Sequence, residues 1–418
     1  MALYDDLTNQ AADVQKCMRC GSCQAVCPVY SVTHAEADVA RGKIQLSRAL
    51  LEGRLEPTPH LSALSQRCLL CLACIDACPS GVATCTDIIG LRAAAARGGG
   101  LPLAKKLLMT GFAHKPMLEK GLGLARSLQP LAFKRGVSGY QPRFPLGLDL
   151  RRIYPAIPSR TFLSTAGEYV KQPRAELKVA FFAGCMTNYI YPGVGPAVVK
   201  LLAARRADVV IPKEQHCCGF PVLALGDPAT AREMAASHVK LFDGLGADYL
   251  VTACGTCGES FLEHYPELLQ DDPDLYARAK ALAAKVRDIS SLLAELPAPG
   301  ELLPLPWRVT YHQPCHLGRG MRVGDTPADL IRAVPEIDFV PLADPDRCCG
   351  GAGSFQLFYP GLSREIAGPK LKDIRATGAA VLVTGCGACR NQLEGLLGGE
   401  DWNGKVMHTA ELLAMATP

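Results

Sequence analysis

The sequence predicts an α + α/β chain: a helical N-terminal module followed by two copies of an α/β unit with parallel sheets. Three observations carry this. Two four-cysteine runs of identical spacing stand near the N-terminus, with a helix-patterned segment between them. Further on, the chain repeats one cysteine frame twice. Within each repeat, short β-rich runs alternate with helical stretches, the pattern of strands joined by crossover helices. The expected divisions are 1–91 for the first module, 92–175 for a basic linker with helical turns, 176–300 for the first repeat and 301–418 for the second. At 418 residues and 49% hydrophobic, the chain is long enough to bury several cores.

The first module rests on CMRCGSCQAVCP, Cys17 to Pro28, and CLLCLACIDACPSGV, Cys68 to Val82. Both read C-x2-C-x2-C-x3-C-P, the two-cluster ferredoxin spacing, in which three cysteines of a run hold one [4Fe–4S] cube and the fourth reaches the other. This assigns Cys17, Cys20, Cys23 and Cys78 to one cubane cluster, and Cys68, Cys71, Cys74 and Cys27 to a second. Zinc is the competing reading, since C-x2-C knuckles also bind it; a duplicated run ending in Cys-Pro favours iron–sulfur. Between the runs, DVARGKIQLSRALLEGRLE (38–56) sets Ile44, Leu46, Ala49, Leu50 and Leu55 mostly at helical spacing, with Gly53 near a C-terminus. The module is therefore helical rather than a compact βαβ ferredoxin. Cys85 fits neither run and reads as a buried structural thiol.

In the first repeat, KVAFFAGC ends at Cys185, followed by Cys217-Cys218-Gly219 and by VTACGTC with Cys254 and Cys257. In the second, WRVTYHQPC ends at Cys315, followed by Cys348-Cys349-Gly350 and by VTGCGAC with Cys386 and Cys389. The spacings, C-x31-CC-x35-C-x2-C and C-x32-CC-x36-C-x2-C, mark a duplication. Strands are expected at 178–184, 247–253, 308–312 and 379–384, and helices near 194–206, 227–244, 361–376 and 388–398. Cys185, Cys254, Cys315 and Cys386 then stand at strand ends, where the loops of a parallel sheet converge on one crevice.

Adjacent cysteines need a chemical reason. Neighbouring Cα atoms are about 3.8 Å apart, whereas disulfides prefer roughly 4.4–6.8 Å. One tetrahedral zinc takes four ligands and leaves a fifth cysteine idle. An iron–sulfur cluster holds several irons, so adjacent thiolates can bind different metals or bridge two. Five cysteines per frame therefore suit a cluster with unusual ligation, in one or both repeats, with zinc still open as the metal. His216, His312 and His316 lie beside these cysteines; each reads as a hydrogen-bond partner of a thiolate or as loop packing. No residue is assigned a catalytic role.

The N-terminus has no basic segment leading into an apolar one, and no apolar run approaches the roughly 18 residues of a spanning helix. The expectation is a cytoplasmic protein, whose 19 cysteines serve metal or redox chemistry rather than disulfides. Net charge is +4, but residues 92–160 carry 13 Lys/Arg against Glu119 and Asp149. Such asymmetry points to a partner. MLEKGLGLARSLQPLAFKR suggests short amphipathic helices for the inner face of an anionic membrane, or for an acidic partner subunit. With 6% aromatic residues the chain offers no nucleic-acid stacking platform.

The doubled ferredoxin run, RGKIQLSRALLEG between its halves, CPSGV closing the second half and the two CCG frames together resemble the iron–sulfur subunit of glycolate oxidase and its lactate-oxidising relatives. The CCG frames also resemble heterodisulfide reductase subunits, where the motif holds a non-cubane [4Fe–4S] cluster, and the iron–sulfur subunit of anaerobic glycerol-3-phosphate dehydrogenase. The sequence has no G-x-G-x-x-G after a strand (KGLGLARS has two glycines and no third) and no P-loop. The resemblance implies an electron-transfer subunit, with an FAD-containing dehydrogenase as partner and a membrane quinone or cytochrome as acceptor. The alternative is a reductase whose CCG cluster cleaves a disulfide substrate.

Overall fold

The computed structural model describes residues 4, 7–136, 139–144, 147–399 and 402–418. In the first repeat, β1 (Leu177–Phe182), β2 (Ala207–Val210), β3 (Tyr249–Thr252) and β4 (Val286–Asp288) form a parallel sheet in the order β2-β1-β3-β4. A two-residue strand, Tyr169–Val170, adds antiparallel to the β2 edge. In the second repeat, β5 (Arg308–His312), β6 (Asp338–Phe339), β7 (Val381–Thr384) and β8 (Lys405–His408) are parallel in the order β6-β5-β7-β8. The two orders are the same, and so is the register: Ala180 faces Leu250, and its counterpart Thr310 faces Leu382. β-Branched and aromatic runs such as VAFF, YLVT and VLVT form these strands because both sheet faces are covered and nearly every side chain is buried.

Crossover helices include Val194–Ala203 and Pro228–Asp243 in the first repeat, with Pro360–Ala376 and Gly387–Leu397 in the second. Asp227 starts one of them: its carboxylate accepts from the Thr230 N–H at 3.1 Å, and Pro228 follows where no donor is needed. In this strand order the chain leaves the first strand toward one edge and the third toward the other. The crevice so formed opens at the carboxyl ends of β1 and β3, and again at β5 and β7.

The N-terminal module is helical, as expected. The segment between the cysteine runs forms the helix Ala40–Leu51, and Gly53, at φ +67°, takes the left-handed turn beyond it. Pro59–Gln66, capped by Thr58, packs on the long helix Thr84–Gly99, which carries the buried Cys85. Arg92 on that helix is buried, and its guanidinium donates to the carbonyls of Ser65, Cys68 and Ala224 at 2.9, 2.6 and 2.6 Å, joining the module to the first repeat.

The basic stretch differs from its expectation. Instead of short helices, residues 115–132 form one helix, Lys115–Ala132, preceded by Leu103–Ala113 and followed by a small antiparallel pair, Phe133–Arg135 with Tyr140–Pro142. It contains two glycines and Pro130, and most of it lies at the surface, with only Gln129 buried. Three of the basic residues also leave the surface. Arg92, Lys105 and Arg152 are buried, and Arg152 donates to Gln392 Oε1 at 2.6 Å and to the Asn391 carbonyl at 2.7 Å. Part of the local positive charge thus holds packed elements together. Among the described residues no helix is long and apolar enough to cross a membrane.

Candidate metal centres

The two N-terminal runs interleave. Cys17, Cys20 and Cys23 line one pocket with Cys78 of the other run, and Cys74 borders it. Cys27 lies instead among the second run: burial pushes its thiol up to about 12, and Cys68 and Cys71 add to the rise. The module is graded from outside to inside. Cys20 is exposed, with its thiol lowered by a 3.4 Å contact to the Ser22 hydroxyl, whereas Cys71 is buried. Backbone N–H groups of Tyr30, Leu70 and Val82 point at the sulfurs of Cys27, Cys68 and Cys78 at 3.4, 3.4 and 3.5 Å. Such bonds favour a charged, metal-bound sulfur.

In both repeats the frame cysteines gather where the strand order reverses. Cys185 follows β1 and Cys315 follows β5; Cys254 and Cys386 follow β3 and β7 as the residues that start helices. The paired cysteines come after β2 and β6 and precede Gly219 and Gly350, whose φ values of +83° and +78° suit glycine. Thiol contacts run from Cys185 through Cys217, Cys218 and Cys257 to Cys254, and from Cys386 through Cys389 and Cys349 to Cys348 and Cys315.

The sequence reading leaves two separate crevices. The structure joins them: Cys254 Sγ lies 3.7 Å from Cys386 Sγ. At the other end Cys348 meets Cys71 of the N-terminal module. Arg319 braces that junction by reaching Asp76 at 3.3 Å, Asp346 at 2.5 Å and the Cys71 carbonyl at 3.4 Å. The thiols also differentiate one another. Hydrogen bonding from Cys217 and then Cys257 holds Cys218 well below its ordinary value, and Cys348 and then Cys389 do the same for Cys349.

Reciprocal glycines make the seam close. A Cβ on Gly255, next to Cys254, would stand 2.5 Å from the Leu317 nitrogen of the second repeat; one on Gly387, next to Cys386, would stand 2.5 Å from the Met186 Cβ of the first. Gly255→Ala should therefore push the repeats apart and cost about 1–3 kcal/mol. The check is limited proteolysis in urea beside the parent chain, and equal resistance would count against this role for the glycine.

The three histidines named from sequence separate here. His216 is hydrogen-bonded to the Cys217 carbonyl at 3.0 Å and to Ser237 Oγ at 2.9 Å, so it serves loop packing. His316 pairs with the buried Glu259, whose carboxylate holds it above its ordinary value against the effect of burial. His312 is buried with no hydrogen bond at either ring nitrogen, and burial followed by Lys370 lowers it to about 3. Glu259 was missed: two residues past Cys257, it has no counterpart carboxylate in the second frame, where Asn391 stands.

These residues fit iron–sulfur clusters. The donors are thiolate sulfurs in sets of four and five, backbone N–H groups face several of them, and an orphaned ring, His312, lies beside Cys349 and Cys389. Comparison with known proteins agrees. A 4Fe–4S dicluster domain matches residues 13–82, and a cysteine-rich domain, CCG, matches 179–261 and 309–394. The probable glycolate oxidase iron–sulfur subunit of Bacillus subtilis is 32% identical over 97% of this chain and 94% of its own length. Lactate utilization protein A of an Exiguobacterium is 33% identical over 56% of this chain and 96% of its own. One component of the fumarate reductase (CoM/CoB) of Methanothermobacter marburgensis is 26% identical over 96% of this chain and 72% of its own. The chain thus carries several [4Fe–4S] clusters and serves iron–sulfur electron transfer in an oxidoreductase, and it belongs to the family of the glycolate oxidase iron–sulfur subunit.

Proposed function

We propose that this chain is the electron-transfer subunit of a flavin-dependent 2-hydroxy-acid dehydrogenase. It takes electrons from an FAD-containing partner that oxidises glycolate or lactate and delivers them to a membrane quinone or cytochrome. Bound [4Fe–4S] clusters supply single-electron steps. The proposed ligands are Cys17, Cys20, Cys23 and Cys78 for one cubane; Cys27, Cys68, Cys71 and Cys74 for the second; and the five cysteines of each CCG frame for a non-cubane centre. The observation that carries this reading is the series of sulfurs that runs from Cys71 through Cys348 to Cys254 and Cys185, with exposed Cys20 in the outer pocket that Cys74 also lines. A chain that only stored clusters would have no need to connect them.

Support for a peripheral membrane contact comes from the helix Lys115–Ala132. Met117, Leu124, Leu128 and Leu131 repeat on it at helical spacing and are 45–71% exposed, beside the exposed Lys120 and Arg126. The disulfide-reductase reading keeps one supporting observation: the two CCG frames meet sulfur to sulfur, so a substrate at the seam would face both.

Crossed ligation has its own test. Cys27→Ser should abolish the cluster built on Cys68, Cys71 and Cys74 while leaving the one built on its own run, as read by EPR and iron content. Loss of the Cys17 cluster instead would reverse the assignment. For the whole proposal, the experiment is anaerobic co-purification with flavin, iron and sulfide measured on the complex. Recovery of a flavoprotein supports it; recovery only of a membrane protein of the cytochrome b type, with disulfide-dependent oxidation of the reduced chain, favours the second reading.

A further inference from the structure

We propose that a ring nitrogen of His312 engages the iron–sulfur centre of the second repeat, a contact that the first repeat has no residue to make. This rests on the reading that the second CCG frame holds a cluster.

His312 is the last residue of β5, and only 1% of its surface is exposed. One of its ring nitrogens and the sulfurs of Cys349 and Cys389 all lie within 4.8 Å of one another. Neither nitrogen has a hydrogen-bond partner. Leaving a buried polar atom unpaired costs about 1–3 kcal/mol, and the fold avoids that cost at its other buried histidines. His238 bonds Tyr265 Oη at 2.9 Å, His408 bonds the Ala253 carbonyl at 2.9 Å, and His264 bonds Tyr4 Oη at 2.9 Å. His312 is the exception, and it is the one aimed at two frame cysteines.

The Pro345 carbonyl is an alternative partner near the ring. That oxygen accepts from the Gln313 N–H at 3.0 Å and makes no hydrogen bond of adequate geometry with the imidazole.

The first repeat lacks the means. Aligned on Cys185 and Cys315, the residue in the place of His312 is Phe182. Its ring packs edge-on against Phe261, Phe242 and His238, with centroids 5.0, 5.8 and 5.2 Å away. The difference extends along the strand: Ala180-Phe181-Phe182 in one copy, Thr310-Tyr311-His312 in the other, and both Thr310 Oγ1 and Tyr311 Oη are also unpartnered. The duplication has kept its cysteines and made one strand end polar. A nitrogen donor near the sulfurs raises a cluster's potential relative to thiolates alone, so the two repeats should hold centres of unequal potential.

The test uses the full chain, assembled anaerobically, as wild type, His312→Phe, His312→Gln and Cys349→Ser. The signal that disappears in Cys349→Ser identifies the second-repeat centre. Pulsed EPR of protein grown with isotopically labelled histidine should find a nitrogen coupling on that signal, absent from His312→Phe. Its midpoint potential should fall in His312→Phe while the other centres keep theirs, and iron should be lost to a chelator about tenfold faster or more. A strong coupling denotes coordination and a weak one an N–H···S hydrogen bond; both uphold the proposal. If His312→Phe fails to fold, His312→Gln gives the same comparison. An unchanged signal, potential and chelator resistance in the folded variant would overturn it. If Cys349→Ser removes neither iron nor a signal, the reading of the second frame itself fails and takes the proposal with it.

Discussion

Replacing Cys349 by serine is expected to strip the second repeat of its cluster while the N-terminal module keeps both of its signals. Cys349 is 3% exposed and sits between Cys348 and Cys389, so no solvent ligand can replace it. The same change at Cys218 should empty the first repeat. The loss extends to stability, because a cluster bound only by the folded chain contributes its binding free energy to folding. Metal analysis and EPR on anaerobically prepared protein read the result. About eight irons per chain in the parent protein, the content of two [4Fe–4S] cubes, would show that the CCG frames hold none. Zinc in one repeat would confine the five-thiolate assignment to the other.

The second large effect concerns turnover. The chain alone should give no glycolate- or lactate-dependent dye reduction, and adding the flavoprotein should restore it in full. Removing a hydride from a 2-hydroxy acid needs a two-electron acceptor, which is flavin or nicotinamide chemistry. The sequence has no dinucleotide fingerprint, and the residues gathered at the strand ends of the repeats are thiols. Robust turnover by the flavin-free chain would refute the electron-transfer assignment. Reduction of a disulfide by the pre-reduced chain alone would move the assignment to the reductase. Membrane association should weaken as salt rises if exposed Lys120 and Arg126 contribute to it.

Much of the architecture was legible because the cysteines punctuate it. The repeat spacing fixed which strands correspond, and β5 begins and ends where the expected strand 308–312 does. The crevice positions followed from Cys185, Cys254, Cys315 and Cys386 standing at strand ends. What stayed hidden lay between units. The approach of Cys254 to Cys386 depends on the packing of one repeat against the other, and no local pattern encodes that. Gly255 and Gly387 did carry the information, but a glycine within C-G-x-C reads as a turn residue until a neighbour is seen against it. Arg92 and Arg152 read as surface charge for a similar reason: their partners are carbonyls and an amide far away in sequence.

The graded burial of the sulfurs also decides how the molecule would fail in air. Oxidants attack thiols and clusters where they can reach them, and reach differs sharply along the series. Cys20 is exposed, and Cys17, Cys23 and, at the far end, Cys185 are half-buried, whereas Cys254, Cys386 and Cys349 are 2–7% exposed. Damage should therefore begin at the outermost cluster and advance inward. An aerobically aged sample would lose its connection to the outside first and still hold intact centres it can no longer charge. Such a protein would look well loaded by iron analysis yet be silent in assay, and rebuilding one peripheral cluster would be enough to revive it.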